Sequence, residues 1–208
     1  PFSGVMLFAI SFVAILNSLG HMGDAPKMKL TRVFRNLVPR ARHLHHLATA
    51  IYKEFERTYV PQEQRHSSKK TAFCYSATIQ APRNKEETLQ KSDVELLCFS
   101  LIIIQSWINP LKNLSHLITN RHIHVLSNRL LEKLRDLEEG IQVALREDDD
   151  DGKETEAVWL HMDTYSKFEV ILPADGSVMK VPGLLACFRK DAHRVATYLN
   201  LVTFRRFA

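Results

Sequence analysis

The chain has 208 residues, of which 45% are hydrophobic and 25% are charged, and its formal net charge is +5. A chain of this length can bury one sizeable core and is compatible with one or two domains. Its seven glycines favour a helical globular protein over a sheet protein or a disordered chain. The positive charge is mild and is not gathered into a run of lysines and arginines, which argues against a nucleic-acid-binding protein.

The beginning of the chain has the pattern of a secretory signal peptide. A short apolar run, Val5–Leu16, is followed by the small and polar residues of Asn17–Gly20. The run is too short and too early for a membrane anchor. We therefore predict a signal peptide over residues 1–20, incomplete at its start because the chain begins at Pro1 without a methionine or a basic segment. The mature, secreted domain would then span residues 21–208, where disulfides are permitted.

The stretch Ser92–Leu111 predicts the central helix of the fold. Ser92 and Glu95 have the spacing of a capping box, which marks a helix start. The apolar residues that follow point almost all the way round the helix, so most of its sides must be buried. Polar residues interrupt the run, which makes it a poor membrane span, since such a span needs about 20 apolar residues. We read it as the core helix of a soluble bundle that continues, kinked, past Pro110.

Three further segments carry an apolar stripe at helical spacing. Each stripe is flanked by charged or polar residues, as expected for a helix that buries one face. The stripes are Leu37, Ala41, Leu44, Ala48, Ile51 and Phe55; Leu130, Leu134, Leu137, Ile141 and Leu145; and Leu185, Phe188, Ala192, Val195, Leu199 and Val202.

Prolines, glycines and hydroxyl side chains indicate where these helices begin. The first lies within Val33–Tyr59 and either starts near Pro39 or is kinked there. Thr119–Ser127 is read as a linker whose last serine caps the third helix. The last helix is expected to start near Gly183.

Two long connections flank one short connection. Gln62–Lys91 and Gly152–Pro182 are polar and contain prolines, and long connections allow successive helices to run parallel, whereas a short one forces them antiparallel. The prediction is an all-α, up-up-down-down four-helix bundle with two long crossover connections, of the long-chain cytokine type.

The sequence contains three cysteines, an odd number for a secreted chain. Cys74 lies in the first long connection and Cys187 in the last helix. A bridge between them would tie that connection onto the bundle, and closing so long a loop is worth up to ~4.7 kcal/mol in the entropy model. Cys98, in the central helix, is read as a small buried apolar residue rather than a reactive thiol.

No motif of a catalytic site or cofactor site is present in the sequence. It lacks a phosphate-binding glycine loop, HExxH, GxSxG and a cysteine pair at zinc spacing, so we predict no enzyme. His43 and His46 share a helix face and would need a third ligand to hold zinc, and solvent-facing histidines are the favoured interpretation. Asn113-Leu114-Ser115 matches the N-glycosylation acceptor pattern, although it lies in predicted helix.

Four residues of the last helix, which lie at helical spacing, share a face opposite the core stripe in this reading. Cationic and aromatic side chains are frequent anchors in protein recognition, and the alternative is a solvated charged face. The four residues are Lys190, Arg194, Thr197 and Tyr198.

Several of these segments resemble the growth hormone/prolactin family. The resemblance is carried by QKSDVELLCFSLIIIQSWINPL, LEKLRDLEEGIQ, TYSKFE and GLLACFRKDAHRVATYL and spans about Leu30 to Phe207. It implies a secreted four-helix hormone that binds two copies of a single-pass cytokine receptor and brings their kinase-linked tails together. It also implies a Cys74–Cys187 disulfide.

The resemblance further implies two receptor-binding faces. Gly140 would leave room for a receptor aromatic to approach the backbone. The larger face maps to Ile79, Lys85, Lys190, Arg194, Thr197 and Tyr198, and the smaller face maps to Asn36, Arg40, Asp136 and Gly140.

The chain departs from the family pattern at several positions. Phe204 stands at the first cysteine of a second, small disulfide, and Pro39 adjoins the smaller face. Ala196 replaces a glutamate that, in zinc-using relatives, joins two histidines of the first helix in binding the prolactin receptor. Only His45 of those histidines remains, so His45 stays a candidate zinc ligand, but no cofactor is predicted and zinc-assisted binding is not favoured.

Two alternatives stay open at this point. The chain could be a diverged paralogue of the prolactin or placental-lactogen type, or a partial antagonist that engages one receptor. Its amphipathic, basic helices could instead form a lipid-surface carrier, although a central helix that is apolar all round argues against that reading.

Overall fold

The computed structural model describes residues 24–65, 74, 79–148 and 181–207. The predicted signal peptide lies outside these residues, as do large parts of the two long connections. Within the described residues the secondary structure is helical, with a 3₁₀ turn at Gln62–Gln64. The α-helices are α1 (Asp24–Tyr59), α2 (Lys85–Leu89), α3 (Asp93–Leu117), α4 (Arg121–Asp148) and α5 (Val181–Phe207).

The four long helices, α1, α3, α4 and α5, form a four-helix bundle. All three predicted apolar stripes are buried in its core, where no stripe residue exposes more than 2% of its surface. Four consecutive residues of α3, Leu101, Ile102, Ile103 and Ile104, point to different sides of that helix and are all buried. The predicted bundle with a central apolar helix is therefore confirmed.

Contacts along α1 and α5 give the relative direction of these two helices. The Phe34 ring lies 5.7 Å from the Phe207 ring, centroid to centroid. The rings of His45 and His193 lie 5.2 Å apart. Because residues later in α1 meet residues earlier in α5, the two helices run antiparallel.

Two hydrogen bonds give the relative direction of α3 and α5. Arg206 donates to Asp93 at the start of α3, with 3.0 Å between nitrogen and oxygen. Trp107 donates to Asp191 over 2.9 Å. These two helices also run antiparallel, so α1 and α3 run parallel to each other. The course of the two crossover connections stays a prediction, since much of both lies outside the described residues.

Two predicted helix starts have different outcomes. The capping box of α3 is confirmed: the Glu95 amide donates to Ser92 Oγ over 3.1 Å, and the Ser92 amide donates to the Glu95 carboxylate over 2.8 Å. The assignment of Ser127 as a cap is wrong, because this residue is buried inside α4. Asn120 caps α4 instead, accepting from the amides of His122 and Ile123 over 3.0 and 3.1 Å.

Both internal prolines lie within continuous helices. Pro39 lies inside α1 and Pro110 inside α3, so the alternative in which the first helix starts near Pro39 is wrong. Because proline has no backbone N–H, Pro39 leaves the carbonyl of Arg35 without its helical hydrogen-bond donor. Pro39 and Arg35 are both exposed, so water can hydrate that carbonyl.

By length and composition, α3 could cross a membrane. Asp93–His116 passes this test, and it is the one helix among the described residues that does. Most of its apolar window is buried inside the bundle. Its hydrophobicity is therefore explained by its place in the core.

Candidate interaction surfaces

A disulfide joins the first long connection to α5. Cys74 and Cys187 are bonded, with Cα atoms 5.3 Å apart and a sequence separation of 113. Cys74 is partly exposed, whereas Cys187 is buried in α5. The bridge brings the connection alongside the helix that carries the predicted cationic face.

A second anchor holds the same connection further along. The Tyr198 hydroxyl donates to the Pro82 carbonyl oxygen, and Ile79, Ala81 and Pro82 are buried in this region. Tyr198 exposes only 1% of its surface, and burial raises the pKa of its phenol to about 12. The expectation that Tyr198 shares a face away from the core is therefore wrong, because the connection packs over it.

The short helix α2 follows this anchor. The Asn84 side chain accepts from the Glu87 amide over 2.8 Å, and the Glu87 carboxylate accepts from the Arg83 amide over 2.8 Å. Thr88 is the buried residue of α2. A helix of five residues with so little buried surface has little stability of its own, so its position depends on its anchors to the bundle.

Between α2 and α5 lies a groove of about 540 Å³, named here the α2–α5 groove. Its apolar part includes Leu89 and Phe204, whose surfaces are 50% and 66% exposed. Basic side chains lie along the rest, and no acidic residue lines it among the described residues. The groove therefore offers apolar contact area beside positive charge. Its lining residues are Pro82, Arg83, Asn84, Lys85, Thr88, Leu89, Lys190, His193, Arg194, Thr197, Tyr198, Asn200, Leu201 and Phe204.

A buried carboxylate lies next to groove-lining residues of α5. Asp191 exposes 1% of its surface and accepts from the Trp107 ring nitrogen over 2.9 Å. Arg194 lies next to it, with 3.6 Å between Nη1 and the carboxylate oxygen. Since a buried charge must be paired, Asp191 both joins α5 to α3 and holds Arg194 at the edge of the groove.

The six residues predicted for the larger face are divided by the structure. Lys85, Lys190 and Thr197 are exposed, while Arg194 keeps 12% of its side chain accessible. Ile79 and Tyr198 are buried. All but Ile79 line the α2–α5 groove, so the two buried residues are suited to shaping this surface rather than to contacting a partner.

The four residues predicted for the smaller face lie together on α1 and α4, a region named here the α1–α4 surface. Arg40 donates to the Asp136 carbonyl over 3.2 Å, and Lys133 pairs with the Asp136 carboxylate over 2.8 Å. Asn36 is exposed beside them. This surface contains both signs of charge, in contrast to the groove.

Gly140 marks a close approach of α1 and α4. A Cβ atom on this residue would lie 2.8 Å from Leu37 Cδ2 and 3.5 Å from Arg40 Nη1. Real Cβ atoms do not come so close to carbon, so a side chain here would push Leu37 aside. The glycine therefore favours this close helix packing, independently of any partner.

The histidines of α1 do not gather into a metal site. Among the described residues, no group of three or more histidine, cysteine, aspartate or glutamate side chains is placed to hold a metal ion. His43 and His46 are exposed. The His45 ring contacts His193 instead, and burial, followed by the positive charge of His193, lowers the pKa of His45. The described residues around His45 therefore provide no complete set of zinc ligands.

Two single residues of α3 complete the predicted sites. Cys98 is buried, with 3% of its surface exposed, as expected. Asn113 is exposed on the helix surface, whereas Ser115 of the same acceptor pattern is buried and donates to the Lys112 carbonyl over 2.7 Å. Glycosylation of Asn113 stays a prediction.

The short helix α2 and the apolar part of the groove were not predicted from the sequence. Asn84 followed by Glu87 is a cap signal that precedes a helix, and it would have placed α2 within the first long connection. His193 was also missed, although it lies one residue from Arg194 and three from Lys190 on the same helix. Nothing in the apolar pattern identifies Leu89 or Phe204 as exposed.

Comparisons with known proteins agree with this architecture. A model described as the Somatotropin hormone family matches residues 6–207. The chain is 53% identical to Somatotropin of Chelonia mydas over 184 residues, covering 88% of this chain and 95% of that one. It is 50% identical to Somatotropin of Crocodylus novaeguineae over 184 residues, covering 88% and 96% of the two chains. Against Somatotropin of Trichosurus vulpecula it is 51% identical over 187 residues, covering 89% and 86%.

Members of this family are signalling hormones that bind cytokine receptors, and they are not enzymes. The match covers nearly the whole described structure and is supported by relatives at about half identity. The chain therefore belongs to the somatotropin hormone family.

Proposed function

We propose that this protein is a secreted growth hormone that binds two copies of a single-pass cytokine receptor, of the growth hormone receptor type. Its α2–α5 groove would take one ectodomain and its α1–α4 surface the other. Bringing two receptors together would start kinase-linked signalling for growth and metabolism. The observation that carries the proposal is the presence of two separate surfaces on different sides of the bundle of a somatotropin-family chain.

The arrangement of the helices supports the separation of the two surfaces. In the bundle, α5 packs against α1 and α3, and α4 packs against the same two helices. Helices α4 and α5 therefore lie diagonally across the bundle. A partner on the outer side of α5 and a partner on α4 can bind at the same time without competing for the same residues.

The composition of the groove supports a protein partner with an acidic rim. Hot spots of protein interfaces are buried apolar anchors surrounded by polar contacts. Leu89 and Phe204 offer the apolar area, and Lys85, Lys190 and Arg194 offer positive charge. A receptor loop that presents an aromatic or aliphatic side chain between carboxylates fits this surface.

The α1–α4 surface supports a smaller, weaker contact. Its charged groups are already engaged with each other: Arg40 with the Asp136 carbonyl and Lys133 with the Asp136 carboxylate. A partner would have to compete with these contacts, and exposed ion pairs contribute little energy. We therefore expect the groove to bind the first receptor and the α1–α4 surface to bind the second.

The experiment is a titration of the oxidised hormone with a soluble growth hormone receptor ectodomain, with the mass of the complex measured by light scattering. The proposal predicts two ectodomains for each hormone. A single ectodomain at saturating concentration would contradict the role of the α1–α4 surface and favour a partial antagonist. Absence of any complex would contradict the proposed receptor, and a titration with the prolactin receptor ectodomain would then test the paralogue reading.

A further inference from the structure

Arg205, near the end of α5, reaches across to the far end of α2. Its Nη2 donates to the Leu89 carbonyl over 2.8 Å, and its Nη1 donates to the Lys91 carbonyl over 2.8 Å. Nη1 also lies 3.3 Å from the carboxylate of Asp93. Arg205 itself does not line the α2–α5 groove.

The Leu89 carbonyl is one that a helix end leaves without a helical donor, and the Lys91 carbonyl belongs to the link between α2 and α3. Leu89 is the last residue of α2, and Lys91 lies two residues beyond it. The last carbonyls of a helix need partners from outside that helix. A guanidinium group suits them, because its several N–H donors lie in one rigid plane.

Arg205 attaches α2 to α5, and a second hydrogen-bonded anchor joins this region to α5 in the described part of the chain. Just before the first residue of α2, the Tyr198 hydroxyl donates to the Pro82 carbonyl. Between these anchors, α2 buries Thr88 and leaves Leu89 half exposed. With so little packing to hold the helix, the two anchors fix its distance from α5 and hence the width of the groove.

We infer that Arg205 is a positioning residue for receptor binding: it holds Lys85 and Leu89 of α2 opposite Lys190 of α5, without touching the receptor itself. This inference rests on the proposed function of the groove. Without Arg205, the end of α2 would separate from α5 for part of the time, and a receptor would have to order it on binding. Ordering a segment at an interface weakens affinity even when the contacts in the complex are unchanged.

The test compares three variants. Arg205→Met keeps the aliphatic stem and removes all the donors, while Arg205→Lys keeps one charged donor group. Arg129→Met removes an arginine from the exposed side of α4 and serves as the matched control. For each variant, amide hydrogen exchange of the free hormone, the thermal midpoint and the Kd for the receptor ectodomain are measured.

For Arg205→Met we expect amide exchange about tenfold faster at Thr88, Gln90 and Lys91, with exchange in the cores of the long helices unchanged. We expect Kd to rise about tenfold for this variant, and to recover in part for Arg205→Lys. The Arg129→Met control should match the wild type in both measurements. A purely structural role would lower the thermal midpoint and speed exchange throughout the bundle, which would overturn the inference.

Two other outcomes would also overturn it. Weaker binding with unchanged exchange in α2 would mean that Arg205 contacts the receptor directly. Faster exchange in α2 with unchanged affinity would mean that its position does not matter for binding. If the wild type itself binds no receptor, the proposed function fails, whereas the exchange data still decide whether Arg205 holds α2.

Discussion

The α2–α5 groove is formed by a short helix attached to the bundle by polar anchors, whereas the α1–α4 surface is formed by two long helices in direct contact. In the groove, hydrogen bonds from Tyr198 and Arg205 place α2. At the α1–α4 surface, Gly140 lets the two helices approach so closely that a methyl group would not fit. The position of α2 can therefore be altered while the long helices stay packed, whereas a side chain at Gly140 requires Leu37 to move within the core.

The largest effect is expected at the buried Asp191, whose neighbours Lys190 and Arg194 line the groove. Asp191→Ala leaves the Trp107 ring nitrogen and Arg194 without their buried carboxylate, so we expect the free energy of unfolding to fall by about 3 kcal/mol. Asp191→Asn keeps a hydrogen-bond acceptor for Trp107, so its free energy of unfolding should fall by less. Urea unfolding measures both, and Glu139→Ala on the exposed side of α4 is the control. Equal losses for the two variants would contradict the role given to the hydrogen bond.

The Tyr198 anchor should appear as a dependence of stability on alkaline pH. Its pKa is raised from 10.0 to about 12, so the unfolded chain releases this proton first as pH rises. The protonated Tyr198 phenol thus contributes roughly 2–3 kcal/mol to the free energy of unfolding. This contribution is complete below pH 10 and is lost as the pH rises through about 12. Tyr198→Phe lacks this titration.

Unfolding curves between pH 9 and pH 12 for the wild type and Tyr198→Phe therefore test the anchor. The difference between the two proteins isolates Tyr198, since other titrating groups are common to both. A difference that stays constant with pH would show that the phenol is not buried in the folded hormone.

At the α1–α4 surface, Gly140→Ala should destabilise the fold by about 1 kcal/mol. Overpacking against Leu37 costs about 1–3 kcal/mol, and the helix preference of alanine returns about 1 kcal/mol. A shorter side chain in Leu37→Val should relieve the clash, so a double-mutant cycle should give a favourable coupling. Additive effects of the two changes would contradict the close approach.

The smallest effect concerns the contact between His45 and His193. Burial is the first cause of the lowered pKa of His45, and the charge of His193 is the second. His193→Ala should therefore raise the pKa of His45 towards its ordinary value, as followed by NMR titration. His43→Ala on the exposed side of α1 is the control, and an equal response to both changes would argue against the ring contact.

The long helices could be predicted because their residues satisfy one requirement, a buried apolar stripe at helical spacing. Ser127 was misassigned because a serine before an apolar stripe has the same appearance whether it caps a helix or lies buried within one. The burial of Tyr198 could not be predicted, because it depends on which segment packs over α5. That segment is distant in sequence and carries no periodic pattern.

The anchors of α2 could not be predicted either, because they also depend on contacts between residues distant in sequence. Arg205 binds carbonyl oxygens of residues more than 100 positions earlier. Because every residue has a backbone carbonyl, no residue type in the sequence identifies which carbonyls accept these hydrogen bonds. By contrast, the Asn84–Glu87 cap was readable from local spacing. Local signals thus predict where helices begin, and only the three-dimensional structure shows what holds the short helix against the bundle.

The most direct test of the two-surface account is the mass of receptor complexes formed by variants of each surface. Asp136→Arg reverses a charge on the α1–α4 surface, and Lys190→Glu reverses one at the groove, with Arg129→Glu as the control. The account predicts that the Asp136→Arg hormone binds one ectodomain with high affinity and does not bind a second. It predicts that the Lys190→Glu hormone binds the first ectodomain more weakly, and that the control variant binds two ectodomains. Two ectodomains bound with wild-type affinity by both surface variants would contradict it.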